Sequence, residues 1–289
     1  MNLTVKESVL HSVIAFDIGG SQSRIALFEQ GQLIWRNQAP TPSQLGPDAM
    51  VETIVKLYRP FAQKSLPVGV AITGQLIQGC VTGHNVDVMP GWQSYPLQAV
   101  LTERLQQPVK IYNDARAAAW GEYQFGTGAQ CSEFLFLTVS TGIGAGLVLN
   151  GRLHIAANGF DAEIGEMLLA DGVTLENYAS GTALGHLAQR NGFDSAKHLC
   201  DAADAGDVKA NELYQSGIAE VAKKLTDLAV MLGIQRAAVG GSVGLRSGYL
   251  ERLRSEMRRY PAMYQFELVP AALGADAGLF GVAALASTE

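Results

Sequence analysis

The sequence predicts an α/β protein. Short apolar runs rich in β-branched residues alternate with longer segments of helical spacing. A strand, glycine turn, strand unit occurs near Asp17 and again near Gly142, which hints at an internal duplication. At Ile111–Glu122 a buried strand runs straight into an alanine-rich helix. A chain of 289 residues suits two modest domains or one large one.

In chain order, Val13–Phe16 reads as a buried strand entering the turn Asp17–Ser23. Arg24–Phe28 and Gln32–Arg36 continue it as a meander of hairpins. Pro40–Pro47 is a loop, and Asp48–Phe61 carries Met50, Ile54, Leu57, Tyr58 and Phe61 at helical spacing. Val68–Ile72 is a short buried strand, Gln78–Tyr95 is loop-like, Leu97–Leu105 is a helix, and Val109–Tyr112 is a strand. Phe134–Val139 enters Ser140–Gly146, and Leu147–Leu149 follows as a strand with Asn150-Gly151 as a hairpin turn. Gly159–Leu169 is a mixed glycine and acidic segment. Gly172–Arg190 and Ser195–Cys200 read as helices, and Asn211–Leu232 is the strongest helix of the chain. Ala237–Val239 and Phe266–Val269 are the last strands, and Asp276–Gly281 opens a C-terminal helix of small residues.

Composition excludes several classes. A net charge of −6 disfavours a nucleic-acid or anionic-membrane surface, so any phosphate must be held by local donors, backbone amides or a metal ion. Cys80, Cys131 and Cys200 are scattered and form neither a disulfide framework nor a zinc pair, which points to the cytoplasm. The N-terminus is not a convincing signal peptide, and no stretch approaches a membrane span.

Asn113 and Asp114 sit where strand becomes helix. Asp114 can serve as an N-cap, or as a general base that takes a proton from a substrate hydroxyl; the stretch itself leaves both open. The two glycine turns join antiparallel strands. Neither is a dinucleotide fingerprint, which needs a helix after the glycines, and the chain holds no P-loop. They are tight hairpins or anion-binding nests; their hydroxyls (Ser21 and Ser23; Ser140 and Thr141) favour a phosphate grip. Asp17 can orient Mg²⁺ or its water shell, or simply close an Asx-turn. Gly240-Gly241 can admit an adenine against bare backbone, or merely turn a strand into a helix.

Taken together, DIGGSQSR (Asp17–Arg24), NDARAAAWGE (Asn113–Glu122), STGIGAG (Ser140–Gly146), GFDAEIGE (Gly159–Glu166), LENYASG (Leu175–Gly181) and GGSVGL (Gly240–Leu245) resemble, in order, the motifs of the ROK family of sugar kinases. The likeness covers nearly the whole chain, and GGSVGL followed by GYL is especially similar to the family's bacterial N-acetylmannosamine kinases. It implies the two-domain actin-like ATPase fold (sugar kinase, Hsp70, actin; RNase H-like), with residues 1–112 plus 277–289 in one domain and 113–276 in the other. Asp114 is then the base, with Gly74, Asn113, Glu163, Glu166 and Glu176 around the sugar. Asp17, Gly19, Gly20, Ser21, Thr141, Gly142 and Gly144 surround the phosphates of ATP and its Mg²⁺, and Gly240 and Gly241 line the adenosine pocket.

Two departures stand out. The family usually has His where this chain has Glu166, and the cysteine-rich zinc segment is missing at Ala170–Leu175. No structural zinc and a remodelled sugar pocket are therefore expected; Val88 likewise replaces a frequent Asn. The expected reaction is ATP-dependent phosphorylation of the 6-hydroxyl of an amino sugar, N-acetylmannosamine first, as in sialic acid catabolism. The alternatives are glucose or N-acetylglucosamine, or a sugar-binding regulator without catalysis. A family repressor would need a helix-turn-helix ahead of Asp17, and the acidic charge argues against it. Neither nucleic acid nor membrane is an expected partner. Family members are commonly dimers, so a homodimer is expected.

Overall fold

The computed structural model describes residues 12–83 and 89–287. The readings made of the N-terminal segment and of Val88 lie outside them. Strands β1 (Val13–Ile18), β2 (Gln22–Glu29) and β3 (Gln32–Pro40) form the antiparallel meander. Helix α1 (Gly46–Tyr58) starts with Pro47 in its first turn, where a missing N–H costs nothing. Strand β4 (Val68–Ile72) is buried throughout. A small hairpin follows, β5 (Gln75–Ile77) and β6 (Cys80–Thr82), inside the stretch expected to be loop. Gln78 and Gly79 between them both have positive φ, as a two-residue hairpin turn demands. Helix α2 (Leu97–Leu105), β7 (Val109–Asn113) and α3 (Asp114–Phe125) complete this run.

The second run begins with β8 (Phe134–Val139), β9 (Ile143–Leu149) and β10 (Arg152–Leu153). The expected helix Gly172–Arg190 is two helices, α4 (Leu175–Ala179) and α5 (Gly181–Arg190). Ser180 separates them with extended backbone, and its hydroxyl accepts from Ala183 N–H, capping α5. Helix α6 (Ala196–Asp204) follows, then α7 (Val208–Leu232), which starts before Asn211 because Asp207 caps it through Ala210 N–H. Strand β11 (Arg236–Gly240), the short α8 (Gly241–Gly244), α9 (Tyr249–Met257), β12 (Glu267–Pro270) and α10 (Ala277–Ser287) end the chain.

The two five-stranded sheets repeat one plan. Their orders are β3-β2-β1-β4-β7 and β10-β9-β8-β11-β12, and in each an antiparallel meander is extended by two parallel strands. The chain divides into two compact units. One holds the residues up to Gly121, Ala156–Phe160 and those from Asp276; the other holds Glu122–Ile155 and Asp161–Ala275. The boundary falls inside α3 rather than before it, because the first turns of α3 pack within the first unit. Ala117 belongs to the core that α10 forms on the sheet through Leu279, Val282, Ala283 and Ala286.

That packing is backbone against backbone. A Cβ on Gly281 would lie 1.6 Å from the Ala117 carbonyl oxygen, and one on Gly121 would lie 2.4 Å from that of Ala277. The opposite face of this sheet is covered by α1 and α2 through Met50, Ile54, Leu97 and Leu101. In the second unit, Tyr214, Ile218, Val221 and Leu225 of α7 are core residues, at the three- and four-residue spacing read from the sequence.

Candidate active site

In the first unit the parallel strands β1, β4 and β7 bring their carboxyl ends together, because Ile18 pairs with Ile72 and Ile72 with Asn113. Carboxyl ends of parallel strands are where α/β folds place ligands. Asp17 is the penultimate residue of β1, and its hairpin partner is Arg24. Cross-strand partners share a face, so the Arg24 guanidinium donates to Asp17 Oδ2 at 3.2 Å. The turn between them is closed by Gly19 N–H donating to Gln22 C=O at 3.0 Å, and leaves Gly20 and Ser21 exposed. Ser23 does not serve this turn. It is fully buried, and its hydroxyl is engaged with Thr41 at 2.9 Å and with Met50 Sδ.

The strand–helix junction separates the two roles open for Asp114. Asn113 is the cap: its Oδ1 accepts from Arg116 N–H at 3.1 Å, while its Nδ2 donates to Gly74 C=O at 3.3 Å. Gly74 has φ of 111°, which a side chain would strain. Asp114 is the first helical residue, half-buried, with Oδ1 accepting from Ala115 N–H at 2.8 Å. A carboxylate there is supported by the helix dipole without being the cap.

Both carboxyls are costly to ionise, and the charge of Asp114 adds to the cost at Asp17. Burial, then the charge of Asp114, push Asp17 up to about 6, against the opposing pull of Arg24. Asp276 adds a smaller push. Burial also raises Asp114, against its backbone hydrogen bonds and the field of Arg116. The first turn of α10 closes on Asp17: a Cβ on Gly278 would lie 3.2 Å from its carboxyl carbon.

In the second unit the turn between β8 and β9 is Ser140–Gly142, shorter than the expected Ser140–Gly146, because strand pairing already starts at Ile143 and takes in Gly144 and Gly146. Ser140 N–H donates to Gly142 C=O at 2.8 Å. Thr141 is exposed, and Gly142 and Gly144 are half-buried. Gly240 ends β11 and Gly241 opens α8, so the strand-to-helix turn is present; Ser242 on it lies 3.3 Å, oxygen to oxygen, from Ser140. The second glycine turn and the Gly240-Gly241 segment therefore adjoin. Glu163 precedes a single helical turn, Ile164–Glu166, and Glu166 ends it; both are half-buried, so Glu166 is no free surface residue. Gly165 of that turn lies against Ile143 C=O and the Glu176 side chain. Glu176 Oε2 accepts from Ile143 N–H at 2.8 Å.

Several contributors escape a reading by motif. Arg24 was visible only as the end of a motif, though an ionic partner facing Asp17 follows from hairpin register. Gly278 is the bare wall against Asp17. Glu122 is fully buried and accepts from Leu273 N–H at 2.7 Å and from Thr127 N–H at 3.2 Å, which ties the turn after α3 to the segment ahead of α10. Among the described residues no group of three or more His, Cys, Asp or Glu is placed to hold a metal ion.

The pattern that defines the ROK family matches residues 13–289. The chain belongs to the ROK family. Its two repeated sheets are the actin-like ATPase fold, and a ROK hexokinase from Thermus thermophilus matches at a TM-score of 0.81 and 30% identity, over 96% of this chain and 97% of that one. This ROK protein is 34% identical over 280 residues to a bifunctional enzyme NanE/NanK of Brucella melitensis, covering 96% of its own length and 54% of that protein's. It thus spans about half the length of that relative. It is also 32% identical to an N-acetylmannosamine kinase of Haemophilus influenzae, with 93% of each chain covered.

Proposed function

We propose that this ROK protein is an ATP-dependent sugar kinase that phosphorylates the 6-hydroxyl of N-acetylmannosamine. The observation that carries the reading is the junction at Asn113-Asp114. Asn113 does the capping, which leaves Asp114 as a half-buried carboxylate of raised pKa beside Asp17. A general base works best when its pKa moves towards the operating pH. In the reaction the sugar oxygen attacks the terminal phosphorus of ATP. The bond to the bridging oxygen breaks, ADP leaves, and the hydroxyl proton passes to Asp114.

Asn113 and Gly74 are assigned to the sugar ring, and Glu163, Glu166 and Glu176 to its hydroxyls. Asp17, Gly19, Gly20, Ser21, Thr141, Gly142 and Gly144 are assigned to the phosphates, and Gly240 and Gly241 to adenosine. Mg²⁺ suits this donor set. The Asp17–Asp114 repulsion that raises Asp17 is what a divalent cation offsets, and Mg²⁺ is usually held by one or two carboxylates together with substrate phosphates. Asp17 would hold it or its water shell; when bound it neutralises charge on the transferring phosphoryl group.

The likeness to the Haemophilus influenzae kinase supports the amino sugar. Glucose is the second reading, supported by the hexokinase likeness. The pair Glu163 and Glu166, with acid where the family has His, is assigned to a remodelled sugar pocket without structural zinc. We place the protein in the cytoplasm, where ATP and reduced cysteines are found. No described helix is long and apolar enough to cross a membrane. A homodimer is the proposed assembly. Exposed Val230, Met231 and Met263 give it apolar surface to cover.

The test is ADP release with N-acetylmannosamine, N-acetylglucosamine and glucose. The reading requires the highest kcat/KM with N-acetylmannosamine. A glucose preference would select the second reading, and sugar binding without ADP would select a non-catalytic regulator.

A further inference from the structure

The turn assigned to the phosphates has one hydrogen bond of its own, Ser140 N–H to Gly142 C=O, and is braced from outside. Three hydrogen bonds from one short segment, Leu175–Thr182, fix it. Gly181 N–H donates to Ser140 C=O at 2.7 Å and Thr182 N–H to Thr141 C=O at 3.1 Å, from the start of α5. Ile143 N–H donates to Glu176 Oε2 at 2.8 Å, from the residue where the turn enters β9 to α4. The fit around that carboxylate is close. A Cβ on Gly142 would lie 2.5 Å from Glu176 Oε2, so only glycine leaves room for it. The other oxygen, Oε1, accepts no hydrogen bond among the described residues.

We infer that Glu176 is a positioning residue that couples the sugar half of the site to the phosphate turn. One oxygen sets the turn through Ile143 N–H, and the other receives a sugar hydroxyl. This rests on the kinase reading above. A carboxylate shared by two partners links them: ordering it for one lowers the cost of ordering it for the other. Sugar binding therefore tightens ATP binding, and by reciprocity ATP tightens sugar binding by the same factor.

The test is Glu176→Gln, beside wild type and Glu163→Gln. The amide keeps the volume but replaces one acceptor oxygen by a donor, so it can accept from Ile143 N–H or from a sugar hydroxyl but not from both. A backbone bond to a charged acceptor contributes enough that KM for ATP should rise roughly tenfold at saturating sugar. Sugar affinity, measured by calorimetry, should lose its dependence on a non-hydrolysable ATP analogue, where wild type shows several-fold tightening. Glu163→Gln should weaken sugar while leaving KM for ATP and the coupling intact. Gly142→Ala pushes the carboxylate off from the other side, so it should reproduce the Glu176→Gln loss and not add to it in the double variant. Unchanged thermal melting shows that the variants fold.

A Glu176→Gln enzyme that loses sugar affinity alone, with KM for ATP and coupling unchanged, overturns the inference. A wild type that phosphorylates no sugar overturns the kinase reading instead. The turn-bracing half then stands or falls on whether Glu176→Gln binds the ATP analogue more weakly than wild type.

Discussion

Asp17 is held at a cost to stability, and that cost can be measured. Its carboxyl is raised from 3.8 to about 6 by burial and by Asp114. At 1.36 kcal/mol for each pKa unit, keeping it ionised in the folded protein costs about 3 kcal/mol above pH 6. The folded state holds this proton more tightly than the unfolded state. The cost is therefore absent below the unfolded value, grows from pH about 4 to about 6, and is complete above. Asp17→Asn removes it. The variant also gives up the charge of the Arg24 pair, but the Arg24 side chain is 32% exposed, so that loss is under about 1 kcal/mol. The net expectation is a variant more stable than wild type by about 2 kcal/mol at pH 8, roughly 5 °C in melting temperature, and equal to it near pH 4. Turnover should collapse in the same variant. Paired thermal melts of wild type and variant at pH 4, 5, 6 and 8, without nucleotide, give the difference directly. A variant that is less stable at pH 8, or one whose gain does not change with pH, would refute the argument.

Asp114→Asn should lower kcat by roughly 10²–10⁴ with the fold intact. By removing the neighbouring charge it should also bring the Asp17 titration below about 6, read from the same pH-dependent melts. Gly281→Ala places a methyl 1.6 Å from the Ala117 carbonyl oxygen, and should destabilise the protein by about 3 kcal/mol in urea unfolding, since helix backbones on both sides must shift. Glu122→Ala strands the N–H groups of Leu273 and Thr127, and should cost roughly 3 kcal/mol in the same assay. Below its melting temperature it should turn over normally, because the groups Glu122 binds, on Thr127 and Leu273, are not among those assigned to substrate.

Most of the scaffold was readable because it follows from periodicity. The hairpins around Asp17 and Gly142, the strand before Asn113 and the long helix α7 all show in the spacing of apolar residues. The failures have local causes. Strands β5 and β6 are three residues each, too short for alternation to register. Ser180 splits one helical stretch into two because its hydroxyl competes for the backbone, which average spacing does not report. At the site, residue types were legible and their partners were not. Ser23 carries the right hydroxyl but faces the core, since β2 alternates and its neighbours Gln22 and Arg24 take the other side. Glu176 was read as a sugar ligand from its motif. Its hold on Ile143 depends on a contact between segments 33 positions apart, which no local pattern encodes.

The four carboxylates Asp17, Asp114, Glu122 and Glu176 differ in what else satisfies the groups around them. Glu122 receives only backbone N–H groups and the Thr127 hydroxyl, and is fully buried, so it is a structural anchor. Glu176 has one oxygen on a backbone N–H and one to spare, which suits a residue that serves the scaffold and a ligand together. Asp17 has a cation for a partner, yet burial and a second carboxylate outweigh it, so the site is short of positive charge until one arrives with the substrate. Asp114 is the instructive case. A helix start needs an acceptor for its free amides, and an aspartate there would ordinarily be committed to that duty. Asn113 takes it over through Arg116 N–H and is itself anchored by Gly74. An Asn113→Ala variant would therefore draw Asp114 back towards capping. Its catalytic loss should then exceed what a missing sugar contact explains, and should appear in kcat as well as in KM.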